Sequence, residues 1–290
     1  MGAALRLGAL AASRRRCGVA GFADSLRFSM PRIVGDWTLD KLKIIEQYLP
    51  AYLTATYKAS ERVYIDAFAG PGRNEIKGSG NIVNGSPLIA LNARSAAGKV
   101  FDRLYFIELD KTDADELETS LVGRDPHRRA EVIRGDVNTE LPRLLGRISP
   151  RSPTFVFLDP EGIDPEWETI EALAASQTEL LINFPLGMAI NRNPDSAKVT
   201  KYFGTEAWRP LWEAGSLRAS RLLALYKERL SDLGYIHQVE DSRLVKTEGN
   251  RRLYYLIFVS KVPVAQRIMK SVFKQPDAAG QPRMNLFPEG

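Results

Sequence analysis

Four acids stand at or just beyond the ends of short runs that read as strands: Asp66, Glu108, Asp136 and Asp159. The first opens a turn, because residues 63–72 read V-Y-I-D-A-F-A-G-P-G. Gly70 and Gly72 lack a Cβ, so they can adopt backbone angles closed to other residues and let a ligand come close to the main chain. An ionised carboxylate only accepts hydrogen bonds, and a glycine turn beside a row of acceptors suggests a nucleotide-like cofactor. One cysteine, Cys17, and two histidines, His127 and His237, exclude an internal disulfide framework and a thiolate or His-rich metal cluster, and no metal site is expected. Chemistry in this chain must run on carboxylates, backbone dipoles and a bound cofactor.

The common glycine loops fit poorly. A dinucleotide fingerprint needs a third glycine where Glu75 stands and an acid roughly 20 residues later on the ribose, whereas Glu108 arrives much later. A P-loop needs G-x-x-x-x-G-K-[ST], and the stretch from Gly72 to Ser79 has its lysine and glycine, Lys77 and Gly78, transposed. What the turn resembles is the first motif of class I S-adenosylmethionine-dependent methyltransferases, in which a strand ends in an acid and a glycine turn passes under the methionine end of the cofactor.

The elements that would position these residues alternate. Apolar residues at helical spacing between Trp37 and Tyr57 predict one or two amphipathic helices, with Pro50 breaking or kinking the run. Strands are expected at the run ending in Asp66, at 104–109, 130–134, 154–158 and 180–184, with helices over about 87–97, 112–121 and 165–175. Ser86 is expected to cap the first of these helices and Thr112 the second. The polar loop at 73–85 is long for a strand-to-helix connection, which suggests that it covers the cofactor or admits substrate. A helix at about 217–233, extended stretches at 235–246 and 252–260 around a Gly249-Asn250 turn, and a helix over 263–273 complete the pattern. The expected fold class is α/β: a Rossmann-like class I methyltransferase fold whose mostly parallel seven-stranded sheet ends in a C-terminal antiparallel hairpin and carries helices on both faces. Ligands of such sheets bind beyond the carboxyl ends of the strands.

Length and charge add limits. The 290 residues, 44% hydrophobic, contain no apolar stretch near the roughly 20 residues of a membrane-spanning helix, so no membrane association and a cytoplasmic protein are expected. Most of the net charge of +5 comes from the first 29 residues, which hold five arginines against one aspartate. Residues 1–35 read as a disordered or mis-started extension, 36–275 as one domain with a substrate-facing insertion at about 186–215, and 276–290 as a tail. Arg192, Lys198, Lys201, Arg251, Arg252, Lys261, Arg267, Lys270 and Lys274, interleaved with aromatics, suit either a nucleic-acid face or an ordinary solvated surface.

The methyltransferase resemblance implies roles. Phe68, Ala69, Gly70, Pro71 and Gly72 would form the turn under S-adenosylmethionine, and Asp66 would hold that turn or act through water on the ammonium. Glu108, followed by Leu109, would accept from the ribose hydroxyls, and Asp136 from the adenine amino group, with Val137 as a second contact. Asp159-Pro160-Glu161-Gly162 would be the reacting turn. Amino methyltransferases carry an aromatic in this turn to stack on the target, and none is present here. Phe184 could supply a ring and Asn183 an amide, or both could be core and turn residues. Two other readings stay open: a non-catalytic cofactor-binding scaffold, and a nucleotide hydrolase in which residues 155–161 form a Walker-B-like strand.

Taken together, Trp37-Thr38, Lys41-Leu42, residues 64–72, Gly85-Ser86-Pro87, Phe106-Ile107-Glu108, residues 135–138, Leu158 to Gly162, Ile182-Asn183-Phe184 and residues 255–261 resemble the three-Cys-motif partner (TcmP) family of bacterial proteins. The resemblance spans roughly residues 36–275. It implies a methyltransferase-like Rossmann domain that works with a three-cysteine-motif protein. Glu161 departs from the family pattern, in which many members carry an aromatic.

Overall fold

Alternate residues of the central strands go to opposite cores, as a twofold side-chain period requires. Val63 and Ile65 of β2 (Val63–Asp66) pack on one face with Val156 and Leu158 of β7 (Thr154–Leu158), while Tyr64, Phe155 and Phe157 pack on the other. The same division runs through β8 (Thr178–Phe184) and β10 (Tyr255–Ser260). Strands buried on both faces belong to a sheet covered by helices on each side.

The structure is a computed structural model and describes residues 31–35, 37–185, 197–213, 218–241 and 255–276. With β5 (Arg103–Glu108), β6 (Ala130–Arg134) and β9 (His237–Asp241), its main sheet has seven strands in the order β6-β5-β2-β7-β8-β10-β9. The first five run parallel, and β10 is antiparallel to both β8 and β9. This is the mostly parallel sheet with a closing hairpin that the sequence predicts. The expected Gly249-Asn250 turn and residues 186–196 and 214–215 of the 186–215 segment lie outside the described residues.

One face carries α1 (Trp37–Ala55), α2 (Ser86–Asn92), α3 (Lys111–Leu121) and α9 (Pro263–Phe273). The other carries α4 (Val137–Leu145), α5 (Trp167–Ala174), α6 (Ala197–Phe203), α7 (Trp208–Glu213) and α8 (Arg218–Asp232). No helix among the described residues is long and apolar enough to cross a membrane. Pro50 does not break α1, which runs on through it. The residue whose carbonyl loses its donor, Glu46, is exposed, so water can replace that bond.

The polar loop at 73–85 is a hairpin, β3 (Arg73–Ile76) and β4 (Ile82–Asn84), and β1 (Arg32–Val34) joins it in a second sheet of order β1-β3-β4. β1 lies ahead of the boundary expected at residue 36. This small sheet forms a flap over a cavity that Arg32, Ile33, Val34 and Asn74 line, and Ile33 and Ile82, in one row with Glu75, are exposed.

The caps differ from expectation in two places. Asp110, not Thr112, caps α3, accepting from the Thr112 and Asp113 amides. Gly85, not Ser86, is the N-cap of α2. A Cβ at Gly85 would stand 3.1 Å from the Gly72 carbonyl oxygen, and Ser86 uses its hydroxyl on Asp66 instead.

Candidate functional site

The turn after β2 is fixed from both sides. The Ala67 amide donates to the Phe157 carbonyl and the Ala69 amide to Ile107, which anchors the turn over the carboxyl ends of β7 and β5. Gly70 has φ +62° and Gly72 φ +80°, a region that L side chains rarely adopt. A Cβ on Gly70 would meet nothing nearer than an Arg32 guanidinium nitrogen at 3.7 Å, whereas one on Gly72 would come within 2.8 Å of Leu117. Gly70 therefore forms the floor of the cavity, and Gly72 lets the turn pack against α3. Pro71 is buried with Gly72, and Phe68 and Ala69 line the cavity.

Glu108 reaches back to this turn. One carboxylate oxygen accepts the Gly70 amide at 2.7 Å and the other the Asp110 amide at 2.8 Å. Each oxygen therefore keeps acceptor capacity at a partly exposed position. Asp136 is on the neighbouring strand end, because Glu108 pairs in register with Arg134 and the Gly135 amide donates to the Glu108 carbonyl. Asp136 is exposed and caps α4 through the Asn138 amide at 2.8 Å. Leu109 is exposed beside it, whereas the Val137 side chain is buried in the core. Glu108 and Asp136 thus share one edge, next to the cavity rather than in its wall.

Asp66 is the rim acid that solvent does not reach. It is fully buried, accepting from the Phe68 amide, the Tyr64 hydroxyl and Ser86. Burial pushes its carboxyl up to about 7, with a smaller push from the nearby Asp159 charge, against the lowering effect of its hydrogen bonds. These bonds tie Asp66 to the turn through Phe68 and to the start of α2 through Ser86.

Asp159 and Asn183, on the ends of β7 and β8, come together. Lys41 Nζ of α1 donates to both Asp159 carboxylate oxygens at 2.6 Å, and Asn183 Nδ2 donates to one of them at 2.6 Å. Lys41 is buried. Glu161 is exposed and forms an ion pair with Arg32 of β1. These residues, with Pro160, Gly70 and Ser86, line a cavity of about 530 Å³.

Phe184 does not join them. Its side chain is fully buried, packed against Tyr202, Phe203 and Tyr226 at centroid distances of 5.9, 6.2 and 5.0 Å. The side chain of this last β8 residue points to the helical core, so its ring is not available to a substrate. Tyr202, Phe203 and Trp208, in the segment read as substrate-facing, are buried in the same core. The basic residues are also divided. Lys198 and Lys201 of α6 pair with Asp164 and Glu166 on one side of the sheet, while Arg267 and Lys270 belong to α9 on the other.

Sequence reasoning missed Lys41 and Arg32 as site residues. Their partners lie more than a hundred positions away, so no local pattern marks them. Only the Lys41-Leu42 element of the family resemblance touched one of them.

The last strand, inserted antiparallel between the fifth and sixth of a parallel sheet with the glycine turn after its first strand, defines a class I methyltransferase fold. No family model matches the chain, and no curated protein matches it. Among solved structures it is similar to protein LPL1258 from Legionella pneumophila, at 16% identity over 81% of this chain and 91% of that one, with a TM-score of 0.48. It is also similar to M. jannaschii TYW2 in complex with AdoMet (11% identity, 78% and 75% covered, TM-score 0.40) and to the O-methyltransferase TomG from Streptomyces achromogenes in complex with SAM (14%, 77% and 80%, TM-score 0.42). The class rests on strand order and direction rather than on these distant similarities.

Proposed function

We propose that this protein is an S-adenosylmethionine-dependent methyltransferase of the three-Cys-motif partner type, acting on a nitrogen or oxygen of a nucleic acid or of a substrate held by a three-cysteine-motif partner. The observation that carries the cofactor assignment is Glu108: a carboxylate at the end of the second sheet strand, bonded to the Gly70 amide and retaining acceptor capacity beside Asp136. The residues present suit the cofactor. Glu108 would take the ribose hydroxyls and Asp136 the adenine amino group, and Gly70 leaves the floor of the cavity clear of side-chain atoms.

When bound, the cofactor supplies an electrophilic methyl group on a sulfonium. The chain's own contribution is alignment and exclusion of water. Asp159, fixed by Lys41 and Asn183, is an orienting acceptor for a donor hydrogen on the methyl acceptor, and the β1-β3-β4 flap covers the cavity from outside. Glutamate at 161 supplies no stacking ring, so a base held here would not be stacked by this turn.

Calorimetric titration with S-adenosylhomocysteine tests the cofactor site. Loss of hydrogen bonds to a charged acceptor costs about 1.5–3 kcal/mol, so Glu108→Ala should weaken binding by at least about tenfold. Equal affinities for the wild type and Glu108→Ala would remove the proposed pocket.

A second reading, a cofactor-binding scaffold without turnover, is favoured by one feature: both acids of the 159–162 turn are already matched by cations, Lys41 and Arg32. Tight cofactor binding with no methyl transfer in the presence of the partner would select it. The hydrolase reading lacks its phosphate cradle, because Lys77 and Gly78 sit in the tip between β3 and β4 and do not open a helix.

A further inference from the structure

The flap brings a guanidinium into the cavity above the glycine turn. Register with Asn74 fixes Arg32 on β1, and its Nη1 stands 3.7 Å from the position of a Cβ on Gly70. Arg32 therefore overhangs the floor of the cavity under the flap. Resting on the cofactor reading above, we propose that Arg32 is the receptor for the carboxylate at the amino-acid end of the cofactor, and that Glu161 is a built-in competitor for the same guanidinium.

Among the described residues, three cations line this cavity: Arg32, Lys41 and Lys77. Lys41 is buried and donates to both oxygens of Asp159, so recruiting it would strand a partly buried carboxylate. Lys77 is an exposed point charge in the hairpin tip. Arg32 differs from both. Its planar fork matches a carboxylate in two parallel hydrogen bonds, and its present partner, Glu161, has a side chain 81% exposed. An ion pair that open to water contributes little, so exchanging it for another carboxylate costs little. Arg32 also acts electrostatically on Asp113 of α3. The arrangement also gives Glu161 a task at a position where an aromatic is absent.

The test compares two ligands that differ only in this carboxylate, S-adenosylhomocysteine and its decarboxylated form, by calorimetric titration of the full chain. Arg32→Ala should weaken S-adenosylhomocysteine by about ten- to a hundredfold, the range for a charge-assisted hydrogen-bonded pair, and leave the decarboxylated ligand unchanged. Arg32→Lys should fall between, because it keeps the charge and loses the fork. Glu161→Gln should tighten S-adenosylhomocysteine alone, whereas a merely structural Glu161 would weaken both ligands. Equal weakening of both ligands in Arg32→Ala, or weakening of neither, overturns the assignment while leaving the cofactor reading intact. Absence of binding of either ligand to the wild type overturns both.

Discussion

Asp66 shows how burial makes the acid beside the glycine turn sensitive to pH. Three hydrogen bonds favour its charged form, yet complete desolvation outweighs them and holds the carboxyl near 7. An aspartate in the unfolded chain titrates near 3.9. Between these two values the folded state binds a proton that the unfolded state has released. The contribution of Asp66 is therefore fully present below about pH 4 and is lost as pH rises through about 7, with a slope of roughly 1.4 kcal/mol per pH unit in between. Urea unfolding of the wild type should show stability falling from pH 5 to pH 8, and Asp66→Asn should show a clearly shallower fall. A second acid, Glu179, bonded to the Tyr48 hydroxyl at 2.5 Å and also desolvated to about 7, keeps some slope in the variant. Parallel pH profiles for the two proteins would rule out a protonated Asp66 in the folded state.

Among the elements, the glycine turn is constrained by packing as well as by backbone conformation, and comparison with Gly98, in the loop between α2 and β5, separates the two. Gly72 and Gly98 have nearly the same backbone angle, φ +80° and +74°, but a Cβ on Gly72 would stand 2.8 Å from Leu117, while one on Gly98 would meet nothing within 4 Å. Gly98→Ala should cost only the left-handed conformation, about 1–2 kcal/mol. Gly72→Ala adds overpacking between the turn and α3, a further 1–3 kcal/mol or so, and denaturation midpoints of the two variants measure the difference. Similar midpoints would mean that the turn is not packed on α3. The long strands and helices were legible because their patterns are long enough to repeat: β6, β7 and α9 have the limits that the apolar periodicity predicts. The flap was not. β3 reads Arg-Asn-Glu-Ile and β1 spans three residues, too short and too polar to show a period, and their pairing depends on a partner forty positions away.

On the scale of the whole molecule, sheet order decides which distant residues share an edge. Placing β2 between β5 and β7 brings the glycine turn against Glu108 on one side and Asp159 on the other, and this much follows from the alternation of elements visible in the sequence. The closure over that edge does not, because the ion pairs Arg32–Glu161 and Lys41–Asp159 join segments more than a hundred residues apart. The flap is a separate sheet of three short strands, a size that is marginal without further packing, so its opening should need less free energy than opening of the buried seven-stranded sheet. A ligand that fills the cavity between the two should stabilise the closed form by mass action. Hydrogen exchange with and without saturating S-adenosylhomocysteine should therefore slow at residues 32–34 and 73–84 together with the Gly70 turn, and change little in β9 and β10 at the far edge of the sheet. Slowing at Gly70 with unaltered exchange over 73–84 would show that the flap is no part of the ligand site, and that the cavity closes by some other element.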